Sequence, residues 1–248
     1  MTNYADIPFN RAAVKPMECL RGGWDLIKDQ YWLFLGMTMV SLLVGSALPL
    51  GILLGPMMCG LFMVFFKKRR GEQIEFGTLF KGFDYFGQSV IASVLHTVPI
   101  LVIVIGGYIA FYAVVLVGAL AMGNDSSGAG AILMMLFFFV FWAVMMVLLI
   151  LVSVGFTFSY PLIVDRGLQG FDAVKLSFKA AMANLVPLLG LALLSAVLGT
   201  LGVLCCIVGV YFVMPISYAA VAVAYEQVFG LSNSTLSGQA PPPPPIFN

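Results

Sequence analysis

Charge is what this sequence has least of. Asp, Glu, Lys and Arg make up 9% of its 248 residues, against about 25% in soluble globular domains. Histidine occurs once, as His96. The four cysteines, Cys19, Cys59, Cys205 and Cys206, form neither a metal-ligand spacing nor a disulfide framework. Three of them, Cys59, Cys205 and Cys206, lie in apolar runs, where a thiol behaves as a small hydrophobe. These absences argue against a metal site and leave no cofactor to expect. A net charge of +1 gives no footing for a nucleic-acid partner. The N-terminal stretch also lacks the basic start, apolar core and small-residue cleavage site of a signal peptide. None is expected, and the first span would itself serve as the insertion signal.

What the chain has instead is apolar surface. Apolar residues account for 61%, more than a soluble fold of this size hides, so lipid is the expected solvent. They gather in runs at 32–48, 50–66, 88–121, 131–163, 182–200 and 202–226, where a crossing helix needs about 20 residues. The fold class this implies is all-α, a polytopic membrane bundle of six transmembrane helices. The first two runs, parted by little more than Pro49, make a tight hairpin. The third and fourth exceed a crossing and must tilt, kink or project, with Pro99 and the Gly106-Gly107 pair as kink sites in the third.

The cations fix sidedness. Arg11, Lys15, Arg21, Lys28, Lys67, Lys68, Arg69, Arg70, Lys81, Arg166, Lys175 and Lys179 can all be placed on one side of the bilayer. The loop 123–128 carries Asp125 and no base, and the turns near Pro49 and Gly202 are uncharged. An excess of Lys and Arg marks cytoplasmic loops, so both termini are expected in the cytoplasm. The run Lys67-Lys68-Arg69-Arg70 is the densest cluster, attracted to an anionic leaflet by about 1 kcal/mol per base and partly offset by Glu72 and Glu75.

The sequence also matches itself. Sliding it by 154 positions lays Met17–Gly45 on Phe171–Gly199 without a gap, pairing Gly36, Ser41 and Gly45 with Gly190, Ser195 and Gly199. Glu18 and Arg21 meet Asp172 and Lys175, and Trp24 meets Phe178. Both copies enter from the same side, as parallel repeats do. The expected organisation is a transmembrane domain over 1–228, with repeat 1 at about 17–66, a central hairpin at 88–163 and repeat 2 at about 171–226. A Pro-rich tail, 229–248, is expected to be disordered and cytoplasmic.

Each copy opens on an amphipathic helix. Met17, Leu20, Trp24, Ile27 and Tyr31 recur at spacings of three and four, beside Glu18, Arg21, Asp25 and Lys28. Phe171, Val174 and Phe178 repeat the pattern, and Leu79, Phe80, Phe83 and Phe86 form a third such segment. Trp24, Lys67, Lys68, Arg69, Arg70, Phe80, Phe83 and Phe178 are therefore expected as anchors in the headgroup zone, with membrane lipids as partners. Gly36, Ser41, Gly45, Gly190, Ser195 and Gly199 are small enough for close helix packing, within one chain or between subunits.

Chemistry is harder to find. No acid or base lies clearly inside a span, whereas ion-coupled carriers hold ionisable groups there. His96 sits alone near Pro99, readable as a hydrogen-bonded structural group or as a ligand contact. Asp165 and Arg166 end the fourth span before Gly167 and make a local charge pair or a contact for a ligand or partner. Five prolines at 241–245, then Ile246-Phe247, offer an extended docking segment to a cytoplasmic partner.

The segment Pro161-x3-Asp165-x-Gly167-x4-Asp172-Ala173-Val174-Lys175-Leu176-Ser177 resembles a motif of bacterial six-span integral membrane proteins. So do Arg21-Gly22-Gly23-Trp24 and the Phe76–Phe86 stretch. The group includes the membrane domain attached to some glycerophosphodiester phosphodiesterases and stand-alone proteins of unknown function. The resemblance covers roughly residues 11–228 and implies a bacterial inner-membrane location and a non-catalytic bundle, because no phosphodiesterase domain accompanies it. The function expected is an accessory or scaffold subunit that self-associates or binds a membrane partner, rather than an enzyme. The alternative is binding or passage of a small neutral or lipidic molecule between the two repeats. An enzyme acting on lipid would have only Asp84, Asp165 and His96 to draw on.

Overall fold

The computed structural model describes residues 7–48, 51–122, 129–205 and 208–232. The loop around Asp125, Pro49, Cys206 and the segment 233–248 with its proline run lie outside the described residues. Among those described, every regular element is helical and no strand occurs. The helices are α1 (Pro16–Ile27), α2 (Tyr31–Gly45), α3 (Leu54–Arg69), α4 (Phe86–Met122), α5 (Ala129–Phe156), α6 (Ser159–Arg166), α7 (Gly170–Ala183), α8 (Leu185–Cys205) and α9 (Gly209–Phe229). A 3-10 segment, Phe76–Tyr85, precedes α4.

Among the described residues, four stretches are long and apolar enough to cross a membrane: Phe76–Gly118, Ile132–Arg166, Leu185–Leu204 and Gly209–Phe229. The chain is a membrane protein. The first two apolar runs give shorter helices, α2 with 15 residues and α3 with 16. At about 1.5 Å per residue each measures roughly 22–24 Å, short of the roughly 30 Å hydrocarbon core. Between them, 46–48 and 51–53 lie outside both α-helices, and Gly51 takes a left-handed φ of +66°.

The chain divides into two compact units, residues 1–95 with 154–248, and residues 96–153. In the first, α3 is buried almost all round, from Gly55 to Phe66, the mark of a core helix rather than an amphipathic one. It packs against α2, the 76–85 segment, α6 and α9. Glycine makes the tightest of these contacts possible. A Cβ at Gly60 would strike the Leu79 backbone, and one at Gly82 would strike the backbone of Pro56 and Gly60.

The amphipathic segments share a habit. α1 packs on α9, the 76–85 segment on α3, and α7 on α6. At each contact one small residue meets the partner. A Cβ at Gly23 would come within 2.7 Å of the Ala220 nitrogen. Ser177 donates its hydroxyl to the Gly155 carbonyl at 2.7 Å and accepts from the Phe158 amide at 3.1 Å, across the break between α5 and α6. The buried stripe of α1 is thus Cys19, Gly23, Leu26 and Ile27. The Met17 and Trp24 side of its apolar pattern turns outward, 52% and 45% exposed.

In the second unit the facing parts of α4 and α5 are joined by aromatic contacts. Phe111 lies against Phe137, Phe138 and Phe141, and Tyr108 meets Trp142 edge-on. The Met145 side chain occupies the space that a Cβ at Gly107 would need. α4 continues through Pro99 as one helix of 37 residues, and the outer faces of this pair expose large apolar side chains such as Val102, Ile109 and Leu136.

Candidate functional site

Asp165 is the only fully buried charged residue among the described residues. It is the second-last residue of α6, which Gly167 closes with a φ of +61° and an amide bonded back to the Ile163 carbonyl. Around its carboxylate the ends of α3, α6 and α9 come together. The Tyr225 hydroxyl of α9 donates to Oδ2 at 2.8 Å. Arg70, which caps α3, reaches Oδ1 through Nη2 at 3.4 Å, and Arg166 Nε lies 3.1 Å from Oδ2. Ser232, two residues past Gly230, donates its amide to Oδ1 at 3.0 Å and its hydroxyl to the Asp165 carbonyl at 2.6 Å.

The two arginines serve the neighbouring helix ends as well. Arg166 Nη2 donates to the carbonyls of Phe229 and Gly230 at 2.8 and 3.2 Å, so it satisfies acceptors left open where α9 stops. Arg70 Nη2 donates to the Ser232 carbonyl at 3.0 Å. Carbonyl ends carry partial negative charge that favours cations. A carboxylate placed among them is therefore costly unless paired and hydrogen-bonded on both oxygens. Here both oxygens accept from N–H and O–H donors, an arrangement that holds a carboxylate in place and gives it no free lone pair for proton transfer.

The rest of the basic run is paired in the same way. Lys68 meets Asp29, Arg69 Nε meets Glu226 at 2.6 Å, and Lys67 approaches Glu72 at 3.9 Å. The hydrogen bond from Lys68 holds the Asp29 carboxyl below its usual range. Asp29, Asp165 and Glu226 lie 39, 95 and 157 residues from Lys68, Arg70 and Arg69 in sequence, beyond what reading neighbours along the chain reveals. The cluster thus ties α3 to its surroundings, where the sequence shows only a basic patch.

No family model, curated protein or solved structure matches the chain. None of these comparisons links the chain to the six-span group.

The other sequence candidates are dispersed. His96 is half-buried on α4. Among the described residues no three His, Cys, Asp or Glu groups gather as metal ligands do. Trp24 leans on Tyr31 and is 45% exposed, and Phe80 is 44% exposed. Phe83 stacks on Phe86. Phe178 points into the bundle, edge-on to Phe156 with centroids 5.0 Å apart. Among the small residues, Ser41 is buried and bonded to its own helix, and Gly45 packs on Leu54 within the α2–α3 hairpin. Gly190 faces Pro16, Ser195 is half-buried, and Gly36 and Gly199 have no atom within 4 Å of a built Cβ.

Sequence reasoning missed Tyr225 and Ser232 at the carboxylate. It also missed two amides that staple the N-terminal segment. Asn184 accepts from the Ala13 amide and donates to the Asn10 carbonyl, and Gln227 accepts from the Lys15 amide and the Cys19 thiol. The available signal was Tyr225-Glu226-Gln227, a polar triplet closing an apolar run. Ser232 gave none.

Proposed function

We propose that this chain is a non-catalytic integral membrane protein, an accessory or scaffold subunit that associates with itself or with a membrane partner. The observation that carries the reading is the contrast between the two ends of the machinery. The one buried carboxylate is saturated by donors, while the long pair α4 and α5 leaves 0% and 6% of its most apolar windows buried. Apolar helix faces of that extent are covered by lipid or by other helices, and Gly36 and Gly199 offer open small-residue positions for a helix to approach.

In this reading the protein lies in a bacterial inner membrane with both termini cytoplasmic. The α2–α3 hairpin completes a count of six passes, and 241–247 is offered to a cytoplasmic partner. Support for the parallel repeat comes from element bounds: α1 and α7 begin at 16 and 170, α2 and α8 at 31 and 185, each pair separated by the same 154 positions as the sequence match. Passage of a small molecule is less favoured. The hollow between Leu26, Phe65, Phe66, Ala222 and Val223 is too tight to admit even a water molecule, whereas ordinary ligand pockets begin at roughly 300 Å³.

The test is crosslinking in cells followed by purification in mild detergent. Discrete higher-mass species containing this chain are expected. A strictly monomeric protein that captures nothing would remove the basis of the proposal.

A further inference from the structure

The buried stripes of α1 and α7 leave each helix a second, outward face of mixed character. Opposite the stripe that packs on α9, α1 exposes Met17, Arg21 and Trp24. Opposite Ala173, Leu176, Ser177 and Ala180, α7 exposes Phe171, Lys175, Lys179 and Met182. The two faces are alike in kind. An apolar side chain opens each helix and a base follows one turn on: Met17 with Arg21, and Phe171 with Lys175, whose ammonium lies 4.4 Å above the Phe171 ring. The segment before α1 joins them. Asn184, where α7 ends, accepts from the Ala13 amide at 2.9 Å and donates to the Asn10 carbonyl at 3.1 Å. Lys179 lies 5.8 Å over the Phe9 ring, and Arg11, in the same pinned segment, is exposed.

Charge separates these bases from the denser run on α3. Lys67, Lys68, Arg69 and Arg70 already face Glu72, Asp29, Glu226 and Asp165. On α1 both acids are held by flanking lysines, Glu18 by Lys15 at 3.1 Å and Asp25 by Lys28 at 2.6 Å. Among the described residues Arg11, Arg21 and Lys179 have no acidic partner, and α7 sets Lys175 and Lys179 against one acid, Asp172. Surplus positive charge interleaved with exposed apolar and aromatic side chains suits the headgroup layer, where the apolar groups enter below the phosphates and the bases meet them. An acidic protein surface would satisfy the bases and leave Met17, Trp24, Phe171 and Met182 without an apolar medium. We infer that the outward faces of α1 and α7 form a binding surface for anionic phospholipid headgroups in the leaflet they border. This does not depend on the scaffold reading, since both faces lie on one chain.

Tryptophan fluorescence of the full-length protein in neutral detergent, titrated with brominated phospholipid, tests it. The three tryptophans are Trp24, Trp32 and Trp142, so Trp32→Phe with Trp142→Phe leaves Trp24 as the reporter on α1. Adding Trp24→Phe and Phe171→Trp moves the reporter to α7. Brominated phosphatidylglycerol is expected to half-quench each reporter at an about fivefold lower fraction than brominated phosphatidylcholine, the weight of one base near an anionic headgroup. Arg21→Gln should abolish that preference at Trp24, and Lys175→Gln with Lys179→Gln should abolish it at position 171, with thermal midpoints unchanged. Arg21→Lys should retain it, and Lys81→Gln, outside both faces, should leave both reporters as they were. Equal quenching by the two lipids would overturn the proposal. So would a preference at Trp24 that survives Arg21→Gln, or reporters that neither lipid quenches but polyglutamate shifts, the mark of an acidic protein partner.

Discussion

Glycine shows most sharply how single residues decide this fold, because chemically identical positions have opposite meanings. At Gly60 a methyl group would run into the Leu79 backbone, while at Gly36 it would meet nothing within 4 Å. Gly60→Ala must therefore push α3 and the 76–85 segment apart, and overpacking costs about 1–3 kcal/mol or more where backbone has to move. Gly36→Ala gains helix propensity of up to about 1 kcal/mol and clashes with nothing. Thermal unfolding in detergent should show the first variant clearly weakened and the second equal to the wild type or slightly better. Cys19 supplies a second residue-scale test. Burial pushes its thiol up to about 11, so the folded state keeps its proton after the unfolded chain begins to lose it near 9. Stability from this group is full below pH 9 and falls as pH rises from about 9 to about 11. At pH 8 the folded thiol should react with a maleimide roughly a hundredfold more slowly than a free cysteine, by thiolate fraction alone.

Elements are where sequence and structure agree in part, and the agreements have physical reasons. Periodicity located the amphipathic segments because burying one face leaves a repeat of three and four. It did not show which face of α1 the bundle buries: Gly23 and Cys19 are small, score weakly as apolar, and yet are what let the helix lie against α9. Run length located α4, α5, α8 and α9. At α2 and α3 the helices are shorter than the runs, since an apolar run does not reveal where its helix stops. The basic run was visible, but its partners Asp29, Asp165 and Glu226 were not, because pairing over such separations is a property of the packed state. Ser177 is the element-scale prediction that follows. Its hydroxyl alone bridges the Gly155 carbonyl and the Phe158 amide where α5 ends and α6 begins. Ser177→Ala leaves two buried backbone groups without that partner, at about 1–3 kcal/mol each, and Ser177→Gly gives no relief. Both should lower the thermal midpoint, and proteolysis should begin at 156–159.

At the scale of the whole molecule, three amphipathic segments each rest on a helix that returns through the bundle: α1 on α9, the 76–85 segment on α3, α7 on α6. The ends of those same returning helices contribute Arg70, Asp165 and Tyr225 to one carboxylate site. The site therefore reports on the assembly of all three, and damage to it should be felt globally. Asp165→Ala takes the buried carboxylate from both Arg166 and Arg70 and leaves Arg70 only the 4.0 Å approach of Glu72, and breaking a buried pair in this way costs about 3–5 kcal/mol. Removing both partners is the informative control. A variant carrying Asp165→Asn together with Arg70→Met removes the Asp165–Arg70 pair whole and leaves only Arg166, still bonded to the Phe229 and Gly230 carbonyls, without its carboxylate, and replacing such pairs with neutral groups is often close to neutral in stability. The double variant is thus expected to melt nearer the wild type than Asp165→Ala does, and to be recovered from membranes in comparable yield. A double variant at least as unstable as Asp165→Ala would mean that the charges themselves, rather than their mutual neutralisation, hold the three helix ends together.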